Sequence, residues 1–123
     1  MTYKTYEVLV YTDDTKHWYL DGKRHREDGP AVEYAGGDRE WWINGKRHRE
    51  DGPAIEYAGG TKHWYLDGKR HREDGPAREY ANGDKYWYLN DKLMTEEKFN
   101  LKTKSCAGKI VEIDGKKYRL TEV

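Results

Sequence analysis

Cysteine is all but missing from this sequence. Cys106 stands alone, which excludes an internal disulfide and a cysteine-built zinc site and favours a reducing compartment. An excess of charge is missing too. Lys+Arg and Asp+Glu each number 23, for a formal net charge of +0, whereas binding to polymeric nucleic acid or to an anionic membrane draws on a basic surplus. No stretch approaches the roughly 20 apolar residues of a membrane-spanning helix. The opening MTYKTYEVLV lacks the apolar run of a signal peptide, so a cytoplasmic protein is expected. There is no phosphate-cradling G-x-x-x-x-G-K-[ST] loop, no metal-ligand spacing and no hydroxyl in a nucleophile motif. No cofactor is implied. Charged residues at 37% and a mean hydropathy of −1.25 would suit disorder, but five Trp and eleven Tyr point instead to a folded chain with a thin core built largely of rings.

What is present is repetition. The decapeptide GKRHREDGPA occurs unchanged at 22–31, 45–54 and 68–77, and Trp18, Trp41, Trp64 and Trp87 keep the same 23-residue spacing. The last unit, WYLNDKLMTEEKFN, loses the pattern, as the end of an array does. Asp21-Gly22, Asn44-Gly45 and Asp67-Gly68 predict two-residue type I′ hairpin turns. Asp13-Asp14, Gly36-Gly37, Gly59-Gly60 and Asn82-Gly83 stand where a second such turn is needed. Short aromatic and β-branched runs lie between them. The expected fold is therefore all-β: a single-layer array of antiparallel hairpins over residues 1–94, followed by a terminal cap over 95–123.

A two-residue turn at Gly36-Gly37 places Val32 opposite Trp41, Tyr34 opposite Arg39, Ala31 opposite Trp42, Leu9 opposite Trp18, Ile55 opposite Trp64 and Arg78 opposite Trp87. Side chains alternate across a strand. Trp18, Leu20, Val32, Trp41, Ile43, Ile55, Trp64, Leu66, Trp87 and Leu89 then form the core face. Tyr19, Trp42, Tyr65 and Tyr88 form an uncovered row on the other, with Ala31, Ala54 and Ala77. This register also sets Glu56 beside His63 and, unfavourably, Glu33 beside Glu40. In the cap, Thr95-Glu96-Glu97 predicts the start of one short helix through Phe99. A last hairpin turns at Asp114-Gly115, with Val111 opposite Tyr118 and Glu112 opposite Lys117.

The unit W-x-x-N-G-K-R-H followed by Y-A-x-G resembles a MORN repeat across residues 5–94. It departs from the family pattern after the histidine, where Arg26-Glu27-Asp28-Gly29-Pro30 and its copies stand. Units with H-R-[ED]-D-G-P-A are similar to those of tandem-repeat proteins of bacteriophages. The resemblance implies a non-enzymatic module for protein contacts, dimerisation or lipid binding. The phage likeness implies a small stand-alone binder that blunts a host defence.

The repeated K-R-H-R-E-D supports two roles. As a ladder, Arg and His of one unit bridge Glu and Asp of the next and set the register. As a binding rim, each loop brings three cations against two carboxylates. Arg24, Arg47 and Arg70 then offer forked donors and His25, His48 and His71 add more, beside the π-faces of Tyr19, Trp42 and Tyr65. Equivalent strands lie about 9–10 Å apart, too far for one stacked base per unit, so a compact anionic nucleotide-type ligand bridging two units is the leading expectation. The alternatives are a protein docking on the aromatic row and a spacer with no ligand. A homodimer whose sheets cover each other's rings follows from the uncovered row. Three identical sites in file argue against catalysis, which needs one assembled constellation.

Overall fold

The computed structural model describes residues 5–103, 110–113 and 116–119. The first unit consists of β1 (Tyr6–Val10), β2 (Lys16–Leu20) and β3 (Lys23–Arg24). The second holds β4 (Val32–Glu33), β5 (Arg39–Glu40), β6 (Trp42–Ile43) and β7 (Lys46–Arg47). The third repeats it as β8 (Ile55–Glu56), β9 (Lys62–His63), β10 (Tyr65–Leu66) and β11 (Lys69–Arg70). The array ends with β12 (Arg78–Glu79), β13 (Lys85–Leu89) and β14 (Lys92–Met94). The strands form one ten-stranded antiparallel sheet in the order β1-β2-β4-β5-β8-β9-β12-β13-β14, with β3 on β2, and the hairpins β6-β7 and β10-β11 form small sheets of their own. The fold is the expected all-β array of antiparallel hairpins.

Each unit has two turns, and they differ. The Asp-Gly and Asn-Gly turns are type I′: φ is 51° and 75° at Asp21-Gly22, 50° and 77° at Asn44-Gly45, and 50° and 78° at Asp67-Gly68. The degenerate last unit keeps this turn, since Asn90 and Asp91 hold φ of 49° and 68°. Asp91 offsets part of that strain by accepting from the Arg70 backbone N–H at 2.8 Å and from Arg70 Nε at 2.9 Å.

The second turn departs from expectation. Tyr34 N–H donates to Asp38 O and Gly37 N–H to Tyr34 O, both at 2.9 Å, and Gly37 holds φ 104°. The loop is therefore three residues, Ala35-Gly36-Gly37: a turn followed by one left-handed residue. Thr12–Asp14, Ala58–Gly60 and Ala81–Gly83 repeat it. One extra loop residue slips the register by one. Val32 pairs with Glu40 and not Trp41, Leu9 with His17, Ile55 with His63, and Arg78 with Tyr86. A one-residue slip exchanges faces. Val32 and Ile55 thus join the side of Tyr19, Trp42 and Tyr65, while Ala31, Ala54 and Ala77 lie opposite Trp18, Trp41 and Trp64, whose N–H groups donate to the alanine carbonyls at 2.7–2.8 Å. The three alanines are wholly buried. The expected division into a core face and an outer face is corrected accordingly.

The slip also removes the like-charged pair. Glu33 lies opposite Arg39, and Glu56 opposite Lys62. Lys16, Glu33, Arg39, Glu56, Lys62, Glu79 and Lys85 make one alternating row across seven strands. Each opposed pair contributes about 0.2–1 kcal/mol, and together they penalise any other register.

At the ends, β1 is an exposed edge with Val8, Leu9 and Val10 open to solvent. The helix α1 (Glu96–Thr103) starts as expected, the Lys98 N–H donating to Thr95 Oγ1 at 3.2 Å, and it buries Phe99 while packing against β13. The strands β15 (Ile110–Ile113) and β16 (Lys116–Arg119) pair with Val111 opposite Tyr118 and Glu112 opposite Lys117, again as expected. They form a sheet of their own and do not extend β14; their turn at Asp114-Gly115 lies outside the described residues.

Candidate functional site

The invariant decapeptide resolves into two devices. The first is a clasp. Arg49 Nε donates to Asp51 Oδ1 at 3.1 Å and Nη1 to Pro53 O and Glu56 Oε1, each at 3.1 Å. Its guanidinium lies 3.8 Å from the centre of the Trp41 ring. Arg26 over Trp18 and Arg72 over Trp64 repeat the stack at 4.0 and 3.9 Å, with the same Asp and Pro partners. A Cβ at Gly52 would sit 2.9 Å from Arg49 Cζ, so a larger residue there would push the guanidinium off its stack and leave the clasp looser. Arginine, aspartate, glycine and proline therefore recur because one side chain touches all of them.

The second device is a staple between units. His25 Nδ1 accepts from the Asn44 backbone N–H at 3.0 Å, and His48 and His71 hold Asp67 and Asn90 in the same way at 3.0 Å. An accepting Nδ1 puts the proton of the neutral ring on Nε2, which faces Glu27, Glu50 or Glu73 at 3.2, 3.5 and 3.3 Å. Each histidine thus fixes the type I′ turn of the following unit. The expected ladder exists only in part. Arg70 reaches Asp91 of the next unit at 2.9 Å and His48 Nδ1 lies 3.6 Å from Asp67. The Arg–Asp and His–Glu contacts that recur in the decapeptide lie within one unit, and the recurrent link onward is histidine to backbone.

These contacts decide where the sequence-derived candidates stand. Arg24, Arg47 and Arg70 lie directly across their hairpins from Tyr19, Trp42 and Tyr65, so those six meet on one side. His25, His48 and His71 do not join them and are consumed by the staples. Nor are the rings an uncovered row. Tyr65 and Tyr88 are buried, Tyr19 and Trp42 half-buried, and arginines lie between the rings. Arg24 and Arg47 flank Trp42 at 5.1 and 5.0 Å, Arg47 reaches Tyr65 at 5.6 Å, and Arg70 and Arg78 approach Tyr88 at 4.4 and 5.6 Å. Glu40 sits inside this stack, accepting from Trp42 Nε1 at 3.1 Å and Arg47 Nε at 3.4 Å. The inference of a dimer from uncovered rings loses its ground, because the chain covers them itself.

The opposite side carries what sequence reasoning missed. Clefts of about 800 Å³ and 640 Å³ open between successive R-E-D-G loops, floored by Trp41 and Ile43 in one and by Trp64 and Leu66 in the next. A third of about 360 Å³ opens beside Trp18. Glu27, Glu50 and Glu73 stand at the rims with side chains 56%, 84% and 78% exposed. The sequence signal is the Arg-x-Asp spacing of every copy, which permits the Arg–Asp pairing within a loop without requiring it.

A half-buried histidine on the ring side gives this protein an acid response. His63 lies edge-on between Tyr57 and Tyr80 at 5.6 Å from each. Burial first, then the charges of Arg78 and Arg47, lowers its pKa from 6.5 to about 4. The unfolded chain therefore binds a proton between pH 6.5 and 4 that the folded chain refuses, so this contribution is complete above pH 6.5 and lost as pH falls toward 4. Urea titrations at pH 7 and pH 4.5 are expected to differ by about 1–2 kcal/mol, partial exposure screening the rest. His63→Gln should remove most of that difference; an unchanged slope would refute the assignment.

No protein-family model, curated protein or solved structure matches this chain. Among the described residues no helix is long and apolar enough to cross a membrane.

Proposed function

We propose that this chain is a non-enzymatic binding module that docks a protein partner along the clefts on its tryptophan side. Repetition carries the reading: the same aromatic-aliphatic floor and the same Glu-Asp rim recur at Trp41 and Trp64. Like sites in file add their contacts along one ligand, whereas chemistry needs a single assembled centre. The MORN-like character of the unit supports a scaffold role. Sequestering a component of a host defence, as the phage likeness implies, is compatible with it.

The ring side supports a second reading, capture of an anionic nucleotide-type ligand. Four arginines converge there, and Nε of both Arg24 and Arg78 is buried with no hydrogen-bond partner. It ranks second because Glu40 and Asp91 already hold Arg47 and Arg70. Site-specific photo-crosslinking in the cells that make the protein separates the two. A crosslinking residue at Glu50, on a cleft rim, is expected to give a discrete protein adduct, while one at Tyr86 on the ring side gives none. An adduct from Tyr86 alone, or from neither position, would sink the docking reading.

A further inference from the structure

We infer that the partner presents a basic polyproline-II segment with a cation at every third residue. This rests on the cleft reading above and names its ligand class. Charge comes first. The cleft over Trp41 is lined by Glu27, Asp28, Glu50 and Asp51 against two guanidiniums, those of Arg26 and Arg49. The cleft over Trp64 has Glu50, Asp51, Glu73 and Asp74 against Arg49 and Arg72. Both guanidiniums in each cleft are spent on their own loops, so an incoming cation meets a carboxylate excess, with the glutamates and the aspartates alike open to solvent.

Spacing selects the backbone. One unit adds two strands to the sheet, and neighbouring strands lie about 4.7–4.9 Å apart, so equivalent clefts recur every 9–10 Å or so. A polyproline-II helix turns once in three residues at about 3.1 Å each and repeats near 9.3 Å. Its residues i, i+3 and i+6 therefore reach successive clefts in phase. A β-strand presents one face about every 6.7 Å and falls out of step at the second cleft. An α-helix repeats its face every seven residues, about 10.5 Å, and drifts by about 1 Å per unit.

The floor fits the same ligand. Ile43 and Leu66, with the parts of half-buried Trp41 and Trp64 that the stacked Arg49 and Arg72 leave uncovered, offer apolar ground to proline rings and to the methylene stems of Arg or Lys, while the charged heads reach the rim. The ligand needs no backbone ordering on binding, because polyproline II is formed in advance.

Fluorescence anisotropy with three labelled nonapeptides tests this on the full chain: (Arg-Pro-Pro)₃, a clustered Arg₃Pro₆ of equal composition, and (Glu-Pro-Pro)₃. The regular basic peptide is expected to bind at least about tenfold more tightly than the clustered one, and the acidic peptide not at all. The triple variant E27Q/E50Q/E73Q keeps an oxygen facing each histidine, so its circular dichroism and thermal midpoint should hold while affinity falls about tenfold or more. Equal binding of both arginine peptides would reduce the effect to bulk charge and overturn the inference, as would binding of neither. If Glu50 crosslinks a protein and the peptides fail, this ligand class falls and the docking module stands.

Discussion

Replacing Arg49 by alanine is expected to lower the thermal midpoint by about 10 °C, the largest loss from any single exposed-looking cation in the chain. Arg49 stacks at 3.8 Å on Trp41 and bonds Asp51, Pro53 and Glu56. Its side chain is only 22% exposed. The stack contributes about 0.5–2 kcal/mol. The charge-assisted bonds add about 1.5–3 kcal/mol before their partly exposed acceptors are discounted. A loss near 3 kcal/mol in a domain of this size is a shift of about 10 °C. Arg49→Lys keeps the charge but cannot bridge Asp51 and Pro53 while lying flat on the indole, and should recover less than half. The control is Arg39→Ala: Arg39 is an exposed member of the charged row and should cost under about 1 kcal/mol. Calorimetry showing Arg49→Ala within 2 °C or so of the parent would mean the clasp does not hold the loops.

The second expectation concerns Ala54. It is 0% exposed, in the cluster of Ile55, Tyr65 and Trp41. Ala54→Leu forces three extra carbons into that contact and is expected to cost about 2–3 kcal/mol. Ala35→Leu, in an exposed three-residue loop, should be nearly neutral. Denaturant melts of the two variants test the register directly. With a two-residue turn Ala54 lies on the outer face and both changes are tolerated equally; that result would overturn the structure's register.

That register is where sequence reasoning was one residue out, and the reason is local ambiguity. Gly36-Gly37 satisfies a two-residue type I′ turn, and it equally satisfies the last two places of a three-residue loop with a left-handed third residue. Nothing inside one unit chooses. The choice is made between units: Ala35 N–H donates to Thr15 Oγ1 at 3.2 Å, Ala58 N–H to Asp38 Oδ1 at 2.7 Å and Ala81 N–H to Thr61 Oγ1 at 3.1 Å. The residue that closes each loop caps the start of the next one, and it is placed to do so only in the longer loop.

The candidate site divides along the same line. That Arg24, Arg47 and Arg70 would meet Tyr19, Trp42 and Tyr65 was legible, because both lie in one hairpin whose Asp-Gly or Asn-Gly turn admits a single register. That His25, His48 and His71 would turn away was not, since each partner lies 19 residues on, in the next unit. The acidic rims escaped notice because composition counts Arg26, Arg49 and Arg72 as surface cations, and only the folded loop shows them neutralised and stacked.

By itself, then, the order of residues determined the period, the antiparallel hairpins, the type I′ turns and the capped helix start at Thr95, since each is encoded within a few neighbouring residues by backbone sterics and side-chain alternation. Tertiary structure alone decided which face is buried, which cations remain available and where the clefts open. Those depend on how one unit's loop meets the next, and a contact across a stacking interface is written in no single unit.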